Sequence, residues 1–344
     1  MKNLRKLFSY LLASAILSVP VTTFAHVKWF VDADRVVKSE HGLVPFYYLN
    51  SKEVIIWSVV AILVVLAFSI FDRIIPEPKK LREFGEKHER GVTRVVEIFL
   101  GLLLISITFL WGIVLVPDLP INSSFTFWLA VLQLTSGLFL LVGLFQRLAS
   151  ILVVVLYVAM GVLVGWMPLA ENLLLPAVAF YVFIKNSKHT DFGRRVDKYS
   201  VEIVRIGAAV SLIVLAFTEK LMYPELGLDF LSVHHWNFMQ LIGISWFDNK
   251  LFVLSAGFAE MIFGVIYIFG YLTRINTIIM ATFFGMSVVT MLVQFNMWEM
   301  EDLIIYAAAV IFIFYGYGKT RFFHSMPEES FWRGIHLGRL FGKR

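Results

Sequence analysis

The residues here that could do chemistry are charged side chains set inside long apolar runs. Glu260 is the clearest. It stands ten residues beyond Lys250, within the run FVLSAGFAEMIFGVIYIFG. On a helix that spacing is ~15 Å, which places the carboxyl near the middle of an apolar layer. A lone carboxylate at such depth must be protonated or paired. It could relay a proton, bind a quinone head group or hold a cation. As a neutral acid it could equally serve as an interhelical hydrogen bond that fixes a bundle. Glu219 and Lys220 close another apolar run, just before Tyr223 and Pro224. Lys220 is expected to snorkel toward water, and Glu219 to face a neighbouring helix. Glu301 and Asp302 open the last apolar run. Together with His234, His235 and Trp236, these residues outline a candidate pocket, with stretch 233–238 as its lid.

Histidines supply a second constellation. His26, His41, His234 and His235 are expected on one side of the membrane, with Met297, Glu299, Met300, Glu301 and Asp302. Imidazole beside sulfur or carboxylate suits copper or zinc, so His26 and His41 are candidate ligands. No HxH or HxxxH spacing supports them. Interfacial hydrogen bonding explains the same residues.

The elements that position these groups are duplicated. Residues 131–150 align without gaps on 258–277. Gln133 falls on Glu260, Gly137 on Gly264, Gly143 on Gly270 and Arg147 on Arg274. A later block sets Asn172 opposite Asp302, and a weaker one sets Val-Pro-Asp-Leu (116–119) on Tyr-Pro-Glu-Leu (223–226). Where the copies differ in charge, the second keeps the charge. Gly137, Gly143, Gly264 and Gly270 are expected to allow close helix approach, with Arg147 and Arg274 anchored at the membrane surface. All six are read as structural.

Composition decides the class. Hydrophobic residues make up 59% of the chain and charged residues 16%, too much apolar surface for a soluble domain to hide. The expected fold is all-α: a polytopic membrane bundle of two parallel four-helix repeats plus one extra N-terminal transmembrane helix. The lipid bilayer is therefore the first partner. Cysteine is absent, which excludes disulfides, thiol relays and iron–sulfur clusters. Nucleic acid is excluded as a partner, because the basic residues have a topological explanation. No GxSxG, Walker loop, HExxH or helix-opening GxGxxG is present, so hydrolase and nucleotide-dependent readings lack support.

Residues 1–25 read as a secretory signal, with Lys2, Arg5 and Lys6 before an apolar stretch and small residues at Thr23 and Ala25. An extracytoplasmic segment follows at 26–53. The extra helix is expected at 54–71 and a charged surface loop at 72–94. The first repeat spans 95–186, a linker 187–202, the second repeat 203–318 and a basic tail 319–344. Lys and Arg gather in 72–94, 185–202 and the tail. By the positive-inside rule those lie in the cytoplasm and the mature N-terminus lies outside. The expected location is a bacterial inner membrane.

The second repeat resembles the DoxX/DoxD-like family of four-helix membrane proteins. The likeness rests on Phe217-Thr218-Glu219-Lys220 with Pro224, Glu260-Met-Ile-Phe-Gly264, Gly270-Tyr-Leu-Thr-Arg274 and Glu301-Asp302. The first repeat is similar to a degenerate copy. The resemblance implies a doubled four-helix unit acting as a membrane component of a redox system, with a quinone or small-molecule pocket. It equally implies a non-catalytic assembly or maturation subunit for a redox or periplasmic partner protein. A small-molecule or copper/zinc-handling transporter is a third reading. The lack of cysteine departs from any role in direct sulfur chemistry.

Overall fold

The computed structural model describes residues 52–235, 237–295 and 300–318. The expected signal, most of segment 26–53 and the basic tail lie outside them, as do His26, His41 and Trp236.

The described residues begin with α1 (Lys52–Ile74), a largely apolar helix that leaves most of its surface exposed. Short basic α2 (Lys79–Lys87) follows. The first repeat then runs through α3 (Glu89–Ser106), which ends in a π turn at Ile107–Trp111. A two-stranded antiparallel hairpin comes next, β1 (Ile113–Val114) and β2 (Val116–Pro120), turning at Leu115 with φ +60°. The repeat continues with α4 (Ser124–Val142), α5 (Gln146–Val164), α6 (Trp166–Glu171) and α7 (Leu174–Asn186).

After α8 (Asp191–Val196), the second repeat opens with α9 (Ser200–Leu215), which ends in its own π turn at Ala216–Leu221. Then come α10 (Pro224–His234), α11 (Phe238–Leu241), α12 (Asn249–Phe269), α13 (Thr273–Phe295) and α14 (Leu303–Tyr315). The fold is an all-α bundle, as expected, to which the short hairpin is an addition. Among the described residues, six helical stretches are long and apolar enough to cross a membrane.

Local chemistry sets the helix ends. Ser123 caps α4 in a reciprocal capping box with Thr126. The Asp248 side chain caps α12 by accepting from Leu251 N–H at 2.8 Å. Both helices stop at a left-handed glycine, Gly143 (φ +82°) and Gly270 (φ +71°).

The two repeats pack as near-equivalents. In each, the first helix lies on the second: α3 on α4, and α9 on α12. Each first helix also packs on the last helix of the other repeat, α3 on α14 and α9 on α7. This exchange is what a pseudo-twofold arrangement of two copies requires. Gly137 and Gly264 make the intimate pair possible. A Cβ on Gly137 would sit 3.0 Å from the Gly101 carbonyl oxygen, and one on Gly264 would sit 2.8 Å from that of Ala209.

The copies part company after their π turns. Val116-Pro117-Asp118-Leu119 becomes strand β2, whereas Tyr223-Pro224-Glu225-Leu226 starts α10 with proline in its first turn. The extra helix α1 packs on α12 through Val54, Ala61, Leu254, Phe258 and Ile262.

Candidate functional site

The site forms where the π turn of α9 meets the middle of α12. A π turn widens the helix by one residue per bond, a distortion found often at functional sites. Here Met222 N–H reaches back five residues to Phe217 O at 2.8 Å. The turn presents the consecutive residues Glu219 and Lys220 toward α12. Lys220 Nζ lies 3.0 Å from each carboxylate oxygen of Glu260 and 3.7 Å from Glu219 Oε2. Relative exposure is 0% for Glu219, 0% for Lys220 and 2% for Glu260. The structure therefore brings together three of the charged residues singled out in the sequence, as a buried carboxylate–ammonium–carboxylate triad.

One expectation is corrected. Lys220 does not snorkel to water; it turns inward. The cause is Gly257, one turn before Glu260 on α12. A Cβ there would stand 3.1 Å from Lys220 Cβ and 2.8 Å from Leu221 Cδ2. Glycine lets the lysine stem pass close to α12 and deliver its ammonium to Glu260. The gap-free alignment puts Ala130 at this place in the first copy, where no lysine has to pass.

The first copy fills the same slot without charge. Gln133 Oε1 accepts from Leu115 N–H at 2.9 Å. Its Nε2 donates to Thr108 Oγ1 at 2.6 Å, Leu104 O at 3.2 Å and Ile113 O at 3.4 Å. The carbonyls come from the end of α3 and from the hairpin strand behind its π turn. One amide thus satisfies itself wholly with backbone and a hydroxyl, at 0% exposure.

α10 packs on both the π turn and α12. Leu226, Phe230 and Leu231 of α10 join Phe247, Phe252 and Val253 in an apolar cluster. His235, just beyond α10, takes a left-handed conformation at φ +48° and is exposed. His234 is the last residue of α10. Glu301 and Asp302 are buried at the start of α14, and their counterparts Glu171 and Asn172 stand at the end of α6 and just beyond it. Among the described residues no group of three His, Asp or Glu side chains could hold a metal ion.

The residues read as structural do structural work, partly in another way than expected. Arg274 donates to Ile313 O at 2.8 Å and Phe314 O at 2.9 Å, and pairs with Glu77 at 3.0 Å. Arg147 donates to Asn186 O at 2.8 Å. Each arginine fastens the end of its repeat's last helix. Gly143 and Gly270 are helix stops, and each also leaves room for an arginine of the facing helix, at 3.0 and 3.1 Å from where a Cβ would stand. Beside each lies an arginine the sequence reading passed over. Arg94 donates to the Leu140 and Leu141 carbonyls, and Arg205 to those of Tyr267 and Ile268. Both are paired three residues away, but in opposite order: Arg94 with Glu97, and Arg205 with Glu202. That reversal hid their equivalence from the alignment.

At the same basic end, Lys188 meets Glu89 at 2.5 Å and Asp197 at 3.3 Å. Burial works against its charged form, but these carboxylates outweigh it and raise the pKa above the ordinary lysine value.

Two cavities of about 30 Å³, each room for roughly one water, lie away from the triad. The first is nearly all apolar and lies between the repeats, lined by Leu174, Ser211, Leu215, Met280, Ile305 and Ala308. The second is polar, beside Arg82, Glu89, Lys185 and Asp197.

Fold and site together define a multi-pass helical membrane protein built from a doubled unit, with a buried ionic triad in one copy. Comparison of the chain with known protein families, characterised proteins and solved structures finds no match.

Proposed function

We propose that this chain is a DoxX-like membrane component of a redox system, whose second repeat exchanges protons with a quinone or similar small molecule at Glu219, Lys220 and Glu260. The observation that carries this reading is the contrast between the copies. A buried ion pair is no aid to stability: neutral replacements of similar volume are often as good or better by about 1–4 kcal/mol. Gln133 is such a neutral solution, within the same chain and on the same scaffold. A fold that has the neutral option and keeps the charged one in a single copy keeps it for chemistry. An ammonium between two carboxylates offers groups that can take or release a proton when a ligand arrives.

The membrane is read as a bacterial inner membrane. Arg94, Arg147, Arg205, Arg274 and the charged α2 then face the cytoplasm, as the positive-inside rule requires. The triad then joins the outer end of α9 to the middle of α12.

The test is binding of a quinone analogue to full-length protein in lipid nanodiscs. Saturable binding that weakens in Glu260→Gln supports the reading; absence of binding to the intact protein overturns it.

One observation favours a second reading, a non-catalytic assembly subunit for a redox or periplasmic partner. The triad is almost wholly buried, and it lines neither of the cavities described above. On that reading a partner protein co-purifies with the chain and Glu260→Gln changes stability alone.

A further inference from the structure

We infer that α2 is a docking surface for anionic lipid, a grip by which the membrane surface holds the second repeat. α2 lies between two helices that are long and apolar enough to cross the membrane, α1 ending at Ile74 and α3 beginning at Glu89. Only residues 75–78 separate it from α1, so it must lie at the membrane surface where both helices emerge.

One side of α2 is committed to protein. Tyr315 Oη donates to Gly85 O at 3.1 Å, and a Cβ on Gly85 would stand 2.8 Å from Phe314 Cβ. Arg82 donates to Gly318 O at 3.2 Å. Phe84 stacks on Phe314 with ring centres 5.7 Å apart.

The adjoining side carries apolar groups that the protein leaves uncovered. Leu81 is 39% and Phe84 50% exposed, three residues apart and so on one face. Lys80 and Lys87, seven residues apart, flank that face on the side away from the protein, and both are exposed. In α2 four cations stand against two acids, and one of those acids, Glu86, is already paired with Arg82 at 3.4 Å. An exposed apolar stripe edged with lysines, on a helix tethered at the membrane surface, matches the boundary between acyl chains and anionic headgroups. Continuity with α1 argues for lipid over protein as the occupant. Ile70 and Ile74, at 57% and 44% exposure, keep the end of α1 open to lipid up to the turn before α2.

The chain contains no cysteine, so Leu81→Cys and Glu83→Cys each create a unique labelling site. Full-length protein carrying an environment-sensitive fluorophore at either position is placed in nanodiscs of phosphatidylcholine, with or without phosphatidylglycerol. The proposal expects the label at 81 to be shielded from an aqueous quencher and the label at 83 to remain open. Shielding at 81 should rise with phosphatidylglycerol. Removing the cations with Lys80→Gln and Lys87→Gln should weaken that anionic-lipid preference roughly fivefold per lysine. Equal quenching at 81 and 83 in both lipids overturns the proposal. So does shielding that follows protein concentration and ignores lipid charge, because a second copy would then be the cover.

Discussion

Gln133 and Glu260 occupy one position in two copies of one fold, and they are satisfied by opposite means. The amide of Gln133 takes an N–H, a hydroxyl and backbone carbonyls left available by a π turn. The carboxylate of Glu260 takes the ammonium of Lys220, 3.0 Å from both of its oxygens. The scaffold around them is shared, down to the glycine four residues on and the left-handed glycine that stops the helix.

Breaking the ion pair on one side should cost stability. Glu260→Gln and Lys220→Met each leave a buried charge without its main partner, a loss of about 3–5 kcal/mol. Thermal unfolding in detergent should show both single variants well below the parent. Two unchanged melting temperatures would mean that the pair is not held as described.

Gly257 should be needed for the close approach of Lys220 and Leu221 to α12. Gly257→Ala pushes Lys220 and Leu221 away from α12, an overpacking cost of about 1–3 kcal/mol. Adding Lys220→Gly removes the stem that presses on the new methyl, so the two losses together should be less than their sum. The measurement is a double-mutant cycle in melting temperature, and additive effects would contradict the account.

The helix-packing glycines should behave as a matched pair. Gly137→Ala and Gly264→Ala each drive a methyl toward a backbone oxygen of the facing helix. Each should destabilise by about 1–3 kcal/mol. A large effect at one and none at the other would show that the two copies are not packed alike.

Lys188 predicts a pH dependence. Its folded-state pKa is raised, so its contribution is complete below the ordinary lysine range and fades as pH climbs past its own higher value. Stability arising from Lys188 should therefore be level between about pH 6 and pH 9 and fall only in stronger alkali, and Lys188→Gln should remove that alkaline component. A fall already at neutral pH in the parent, absent in the variant, would contradict this assignment.

The spans and the duplication were legible because their signals are local. Apolar runs mark the helices, while Ser123, Asp248, Gly143 and Gly270 fix several of their ends through groups close in sequence. What the sequence could not display was anything set by a neighbour. Lys220 looked like a residue bound for water because the glycine that admits it, Gly257, lies on another helix. Val116-Pro-Asp-Leu and Tyr223-Pro-Glu-Leu look alike but fold as strand and helix, because β2 finds a partner in β1 and α10 finds an apolar layer on α12. Arg94 and Arg205 escaped notice because each copy reverses the order of acid and base. Glu260 was identifiable as charge inside an apolar run, and Glu219 and Lys220 as charge at the end of another; that they form one buried site depended on a π turn no local pattern announced.

The most direct test of the central claim uses the triple variant Glu219→Gln, Lys220→Met and Glu260→Gln. It removes all three buried charges and gives the second copy a neutral core like that of the first. The account predicts a protein at least as stable as the parent that has lost saturable binding of a quinone analogue in nanodiscs. A triple variant that binds the analogue as the parent does would contradict the claim that these charges are kept for chemistry.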